Sequence, residues 1–189
     1  MTQPVEPALA TLGGRGPALS IRRRWLAMRP AFLTASVLPV VVGTTWGQAA
    51  GGRFDPWAAV LALLATALVH AGANVINDVG DELGGTDRIN TERIFPYTGG
   101  SRVIQNGVMD LRQMHRLGWG LIGIAAMIGV LPAHIKRPAD LQLGLAGIAL
   151  SVAYSLQPRK LASRCVGNLT NVVGYCVFTV MCLIWLRNG

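Results

Sequence analysis

Apolar residues run along this chain in five long blocks, about Trp25 to Trp46, Pro56 to Ile76, Met114 to Leu131, Leu141 to Leu156 and Gly167 to Leu186. Each is close to the ~20 residues a helix needs to cross a bilayer. The pattern predicts an all-α, multi-pass transmembrane helical bundle of about five spanning helices. Only the second block is uninterrupted, and Pro39 is expected to kink the first. Gly43 and Gly47 in the first block, and Gly144 and Gly147 in the fourth, have the spacing of small residues at helix contacts. The loops "GQAAGGRFD" and "PAHIKRPAD" on one side are too short for a domain. The connection from Asp78 to about Gln113 is the longest, and long ordered loops tend to carry function.

Ahead of the first block, residues 1–20 are rich in proline, alanine and glycine and read as a disordered cytoplasmic tail, leaving 21–189 as the transmembrane domain. "SIRRRWLAMRPAFLTASVLPVVVGTTWGQAA" has a rival reading as a twin-arginine signal peptide. Arg29 and Pro30 interrupt its apolar core, and further spans follow where a secreted domain should stand.

Composition strengthens the membrane reading: 51% of residues are hydrophobic, 14% are charged and the mean hydropathy is positive. The net charge of +8 does not point to nucleic acid, because the basic residues do not gather on one soluble face with interleaved aromatics. Placing the N-terminus in the cytoplasm puts 13 Lys and Arg residues inside and four outside, as the positive-inside rule requires of an inner-membrane protein. Cys165, Cys176 and Cys182 show neither metal nor disulfide spacing and read as packing residues. His70, His115 and His134 are too scattered to converge on a transition metal.

Within this basic chain, Asp78, Asp81, Glu82, Asp87 and Glu92 bring five of nine acids into one short window. If the second helix continues to about Asp81, then Asn74, Asn77, Asp78 and Asp81 recur at spacings of three and four and share a face. Carboxylates so close repel unless a cation neutralises them. Oxygen ligands without His or Cys select a hard ion, and Mg2+ characteristically combines one or two carboxylates with water and substrate phosphates. Arg88, Arg93 and Arg102 follow in the same loop and suit phosphate. The pattern therefore predicts a site for Mg2+ and a diphosphate; the bland reading is a solvated loop with Gly84 and Gly85 as its turn.

"NDVGDELGGTD", Asn77 to Asp87, resembles the first aspartate-rich motif of the UbiA superfamily of intramembrane prenyltransferases, in the wide-spaced form of the dihydroxynaphthoate branch of menaquinone synthesis. "MRPAFLTASVLPVVVG", "PYTGGSRVIQNGVMD" and "YSLQPRKLASRCVGN" resemble that branch's first helix, its loop into the third helix and its segment after the fourth, in the same order. The resemblance implies a helical bundle whose cavity opens to lipid, with prenyl diphosphate and an aromatic acceptor as substrates and Mg2+ as cofactor. It implies that Asn77, Asp81 and Asp87, with Asp78 adjacent, hold the metal, and that Arg102 contacts phosphate. Asp81 and Arg102 would then be the catalytic residues, and Asn77, Arg93, Tyr154, Lys160 and Arg164 would join Arg102 around the diphosphate.

The family's second aspartate-rich motif follows its sixth helix, and this sequence shows no second cluster: Asp110 is solitary and Asp140 lies on the outer side. Asn168 stands where many relatives carry an acid. The expectation is an N-terminal part of a prenyltransferase, the remainder belonging to a longer chain or to a second polypeptide. The alternatives are a truncated relative that at most binds prenyl diphosphate, and a small cation-binding, transporter-like protein. Transport predicts polar groups at midspan, whereas these gather at one helix end.

Overall fold

A computed structural model of the chain describes residues 5–49, 54–89, 91–92, 94–95, 99–136, 142, 145–149 and 152–153. Among the described residues every regular element is helical: α1 (Leu9–Leu12), α2 (Pro17–Ala27), a 3-10 turn (Pro30–Phe32), α3 (Thr34–Ala49), α4 (Pro56–Leu83), α5 (Thr86–Ile89) and α6 (Leu111–Lys136). Two segments, Pro30–Ala49 and Pro56–Leu83, are long and apolar enough to cross a membrane. The protein is a multi-pass membrane helical bundle. The third expected span lies within α6, and the fifth lies outside the described residues, as does the fourth apart from helical stretches at 142, 145–149 and 152–153.

Helix α4 begins sharply because Asp55 Oδ1 accepts hydrogen bonds from Trp57 N and Ala58 N, both at 3.0 Å, with Pro56 preset for a first helical turn. It runs seven residues beyond the apolar block, to Leu83. The polar end stays helical because Asn77 Nδ2 donates to Asp81 Oδ2 one turn on, at 2.9 Å, and because the following loop folds over it. Helix α6 opens with a reciprocal cap: Asp110 Oδ1 accepts from Gln113 N at 2.7 Å, and Gln113 Oε1 accepts from Asp110 N at 3.2 Å. The solitary Asp110 is thus a helix cap.

The first apolar block is not one helix from Trp25. Helix α2 stops at Ala27, Arg29 adopts a left-handed φ of 54°, and Pro30, which cannot donate to the preceding turn, starts a new element. Asn74 fixes this break from the side by donating to the Met28 carbonyl at 3.2 Å. Deeper along the same pair of elements, the Ser36 hydroxyl and His70 Nδ1 lie 2.7 Å apart. Gly43 and Gly47 are the buried residues of α3, in keeping with a packing role.

Residues 5–20, expected as a disordered tail, are folded against the bundle. Leu12 is 2% exposed and packs in one core with Ala27, Val75, Val79, Val103, Val108, Met109 and Met114. Arg23 donates to the carbonyls of Leu12 and Gly14, closing the segment into a hook, and Asn106 Nδ2 donates to Pro7 O at 2.7 Å. One well-buried leucine and three satisfied carbonyls offset the ordering entropy that the composition alone implied would win. This core lies at the end of α4 that carries the acids, where the loop meets the described helices. Leu38, Val42, Trp46, Trp57, Val60 and Leu64 face outward along α3 and α4, as residues in contact with lipid do.

Candidate functional site

The loop after α4 returns over the helix end and closes on Asp78. Ser101 N donates to Asp78 Oδ2 at 3.0 Å, and Arg29 Nη1 stands 3.9 Å from Asp78 Oδ1, so a carboxylate 2% exposed receives an amide from one side and a cation from the other. Asp78 Oδ1 nevertheless has no hydrogen-bond partner among the described residues. Burying a charged oxygen without a donor is unfavourable, so a ligand at that atom would relieve a standing penalty.

Short helix α5 carries Asp87 back towards the same place. The side chain of Gln105 bridges two acids, donating to Glu82 Oε2 at 3.0 Å and to Asp87 Oδ2 at 3.1 Å. Burial pushes the Asp87 carboxyl up to about 6, and the charges of Asp81 and Asp78 add to this while Arg102 opposes it. These carboxylates share one field.

Gly100 decides the shape of the space between them. A Cβ there would lie 3.0 Å from Asp78 Oδ1 and 3.1 Å from Asp87 Oδ2, and its φ of 77° is one that side chains rarely tolerate. The missing side chain leaves a small gap bounded by two carboxylate oxygens. Among the described residues no three His, Cys, Asp or Glu side chains converge as a metal cage. Two carboxylate oxygens, both hard donors, are what the described residues place at this gap, fewer than a protein-built metal cage needs.

Two arginines flank the cluster, and both have backbones in the left-handed region, Arg29 with φ 54° and Arg102 with φ 63°. Such conformations are unfavourable for residues with a Cβ and persist where surrounding contacts over-determine them. Arg102 is buried and Nη1 donates to the Asp87 carbonyl at 2.7 Å, bracing the turn that presents Asp87. The Nε atoms of both arginines, and Asn77 Oδ1, lack hydrogen-bond partners among the described residues. Arg29 also lies over the Phe32 ring, 4.6 Å from its centroid.

The structure thus brings together Asn77, Asp78, Asp81, Asp87 and Arg102. Asn74 shares their helix but is spent on Met28. Arg93, Tyr154, Lys160 and Arg164 lie outside the described residues, as does the Arg88 side chain. Sequence reasoning missed Arg29, Gly100, Ser101 and Gln105. Only Arg29 left a signal, as a cation beside a helix-breaking proline; the others depend on how the loop folds back.

Comparison with known proteins adds the family. The profile described as the UbiA prenyltransferase family matches residues 36–188. A 1,4-dihydroxy-2-naphthoate octaprenyltransferase of Escherichia coli K12 is 36% identical over 101 residues, covering 52% of this chain and 30% of that protein. A digeranylgeranylglyceryl phosphate synthase of Metallosphaera sedula is 36% identical over 85 residues, 44% of this chain and 26% of its own. A 1,4-dihydroxy-2-naphthoate octaprenyltransferase of Haemophilus influenzae is 27% identical over 159 residues, 79% of this chain and 49% of its own. The chain spans half or less of each of these relatives. No solved structure matches it. With the family profile covering most of the chain, from α3 through the carboxylate loop and onward, this protein belongs to the UbiA prenyltransferase family.

Proposed function

We propose that the chain forms the diphosphate-binding part of a Mg2+-dependent membrane prenyltransferase, which transfers a polyprenyl group from its diphosphate to an aromatic quinone precursor such as dihydroxynaphthoate. The observation that carries this reading is the gathering of Asp78, Asp81, Glu82 and Asp87 at one end of a membrane-length helix, Asp78 and Asp87 facing each other across Gly100, with Arg29 and Arg102 beside them. The naphthoate acceptor is supported by two of the relatives and by the wide spacing from Asp81 to Asp87. The third relative's name shows that relatives differ in acceptor. Inner-membrane location with a cytoplasmic N-terminus belongs to the same proposal, supported by the distribution of Lys and Arg. The relatives lend no support to a second polypeptide, and none is invoked.

In this reading Asp78, through the Oδ1 at the Gly100 gap, would hold the cation together with Asp87 and Asp81, Asn77 orients Asp81 through its amide, and Asp78 Oδ2 keeps the loop closed over the site. Bound Mg2+ supplies electrostatic stabilisation of the departing diphosphate. Arg102, with Arg93 on the same loop, orients the phosphate oxygens and opposes the negative charge that grows as the allylic C–O bond breaks. The apolar walls of the spans shield the allylic cation from water until the electron-rich ring attacks and loses a proton. Tyr154, Lys160 and Arg164 are assigned to the diphosphate by resemblance.

Titration of the purified chain with a polyprenyl diphosphate, with and without Mg2+, tests the reading. Binding should need Mg2+ and weaken about tenfold or more in Asp81→Asn, the loss of one charge-assisted contact, while membrane insertion stays intact. Equal binding by both proteins would sink the metal role of Asp81.

A further inference from the structure

We infer that α2 is an interfacial anchor that binds anionic phospholipid headgroups on the membrane face where the carboxylate site opens. The helix stands directly ahead of the Pro30–Ala49 span, separated from it only by Met28 and the left-handed Arg29. Its C-terminal end is therefore held at headgroup level.

The faces of α2 divide cleanly. At 100° per residue, Ile21 and Trp25 share one side, and they are 65% and 53% exposed. Arg24 falls about 60° to one flank of Ile21 and Arg22 about 100° to the other; both are exposed, as is Arg15 just before the helix. Arg23 falls on the opposite side, where it is spent inward on the Leu12 and Gly14 carbonyls, and Ala27 is buried there. The outward face is thus an apolar pair between arginines. A face built for water alone would not present tryptophan and isoleucine a turn apart; one lying in an interface would, with its guanidinium groups reaching to phosphate.

Charge settles which surface it fits. No acidic residue occurs between Glu6 and Asp55, and Arg15, Arg22 and Arg24 have no carboxylate partner among the described residues. Basic residues beside a span attract anionic lipid within a Debye length of the surface. Because Arg23 ties α2 to the hook that packs on Val103 and Val108, an anchored α2 also steadies the loop carrying Arg102. The inference stands apart from the prenyl-transfer reading, since it uses none of the carboxylates.

The test uses the full chain in nanodiscs of mixed phosphatidylcholine and phosphatidylglycerol, with brominated chains placed on one lipid or the other. The fluorescence difference between the wild type and Trp25→Phe reports Trp25. Brominated phosphatidylglycerol should quench Trp25 roughly twofold more than brominated phosphatidylcholine at equal mole fraction, and about 1 M NaCl should remove that preference. The triple variant Arg15→Gln, Arg22→Gln, Arg24→Gln should lose it at low salt. Equal quenching by the two lipids, absence of Trp25 quenching, or a preference that survives high salt would overturn the inference. So would millimolar inorganic phosphate abolishing the preference where chloride of equal ionic strength does not. Should the triple variant fail to insert, the salt dependence of the wild type decides alone.

Discussion

Gly72 of α4 and Gly118 of α6 stand face to face: a Cβ on Gly72 would lie 3.0 Å from the Gly118 carbonyl, and one on Gly118 would lie 3.4 Å from the Gly72 carbonyl. The two helices approach backbone to backbone because neither carries a side chain here, as small residues allow in membrane bundles. Gly118→Ala would place its methyl 2.6 Å from Ile76 Cγ1, within the packing beneath the carboxylate site. Thermal unfolding in detergent should show a loss of about 1 to 3 kcal/mol from overpacking. Gly120→Ala, which meets nothing within 4 Å, should be neutral or slightly stabilising.

Asn74 gives a second expectation. Its amide donates to the Met28 carbonyl at the break before the first span, so its role is to hold that break. Asn74→Ala removes the donor and should cost about 1 kcal/mol of stability. Mg2+-dependent binding of a prenyl diphosphate by calorimetry should remain within about twofold of wild type, a difference of under ~0.5 kcal/mol. A large selective loss of binding would instead make Asn74 a ligand.

At Arg102 the backbone and the side chain make separable contributions. Arg102→Ala and Arg102→Gly both lose the brace on the Asp87 carbonyl, but only glycine relaxes at a φ of 63°. Chemical denaturation should therefore find the glycine variant more stable than the alanine variant by roughly 1 kcal/mol. Both should bind diphosphate more weakly than wild type, with the larger deficit at low salt.

Asp87 makes stability depend on pH in a definite direction. Its carboxyl is raised from 3.8 to about 6 on folding, so the folded chain holds this proton more tightly than the unfolded one. The associated stabilisation is complete below about pH 4 and is lost as the pH climbs through about 6. Asp87→Asn abolishes that titration. Without divalent cation, wild-type stability should fall relative to Asp87→Asn across this window, by no more than about 1.4 kcal/mol per pH unit. Parallel curves for the two proteins in urea unfolding at a series of pH values would contradict it.

What the sequence made legible was the extent and polar end of one helix. Alternating threes and fours from Asn74 to Asp81 announced a polar face, and the helix does run past them to Leu83. The same spacing put Asn74 on that face without saying which neighbour meets it, and that neighbour is the Met28 carbonyl. The hook at residues 5–12 stayed hidden because it is secured by one leucine and by bonds to Arg23 and Asn106, the latter about a hundred positions away. Gly100 was equally silent: a glycine in a loop reads as a turn until the Asp78 and Asp87 oxygens are placed against it. Long-range closure of a loop on a helix leaves no local period to read.

The length of α4 has a consequence for altitude. Its 28 residues make a rod of about 42 Å, against a hydrocarbon layer of about 30 Å. A helix entering near Trp57 therefore outruns the oily interior before it reaches Asp78, and its last two turns emerge among the headgroups. A lipid diphosphate floats at that same level, with its charged end at the water's edge and its tail among the acyl chains. Under the function proposed above, such a lipid would arrive sideways, sliding within its own leaflet, and meet the carboxylates without rising out of the membrane.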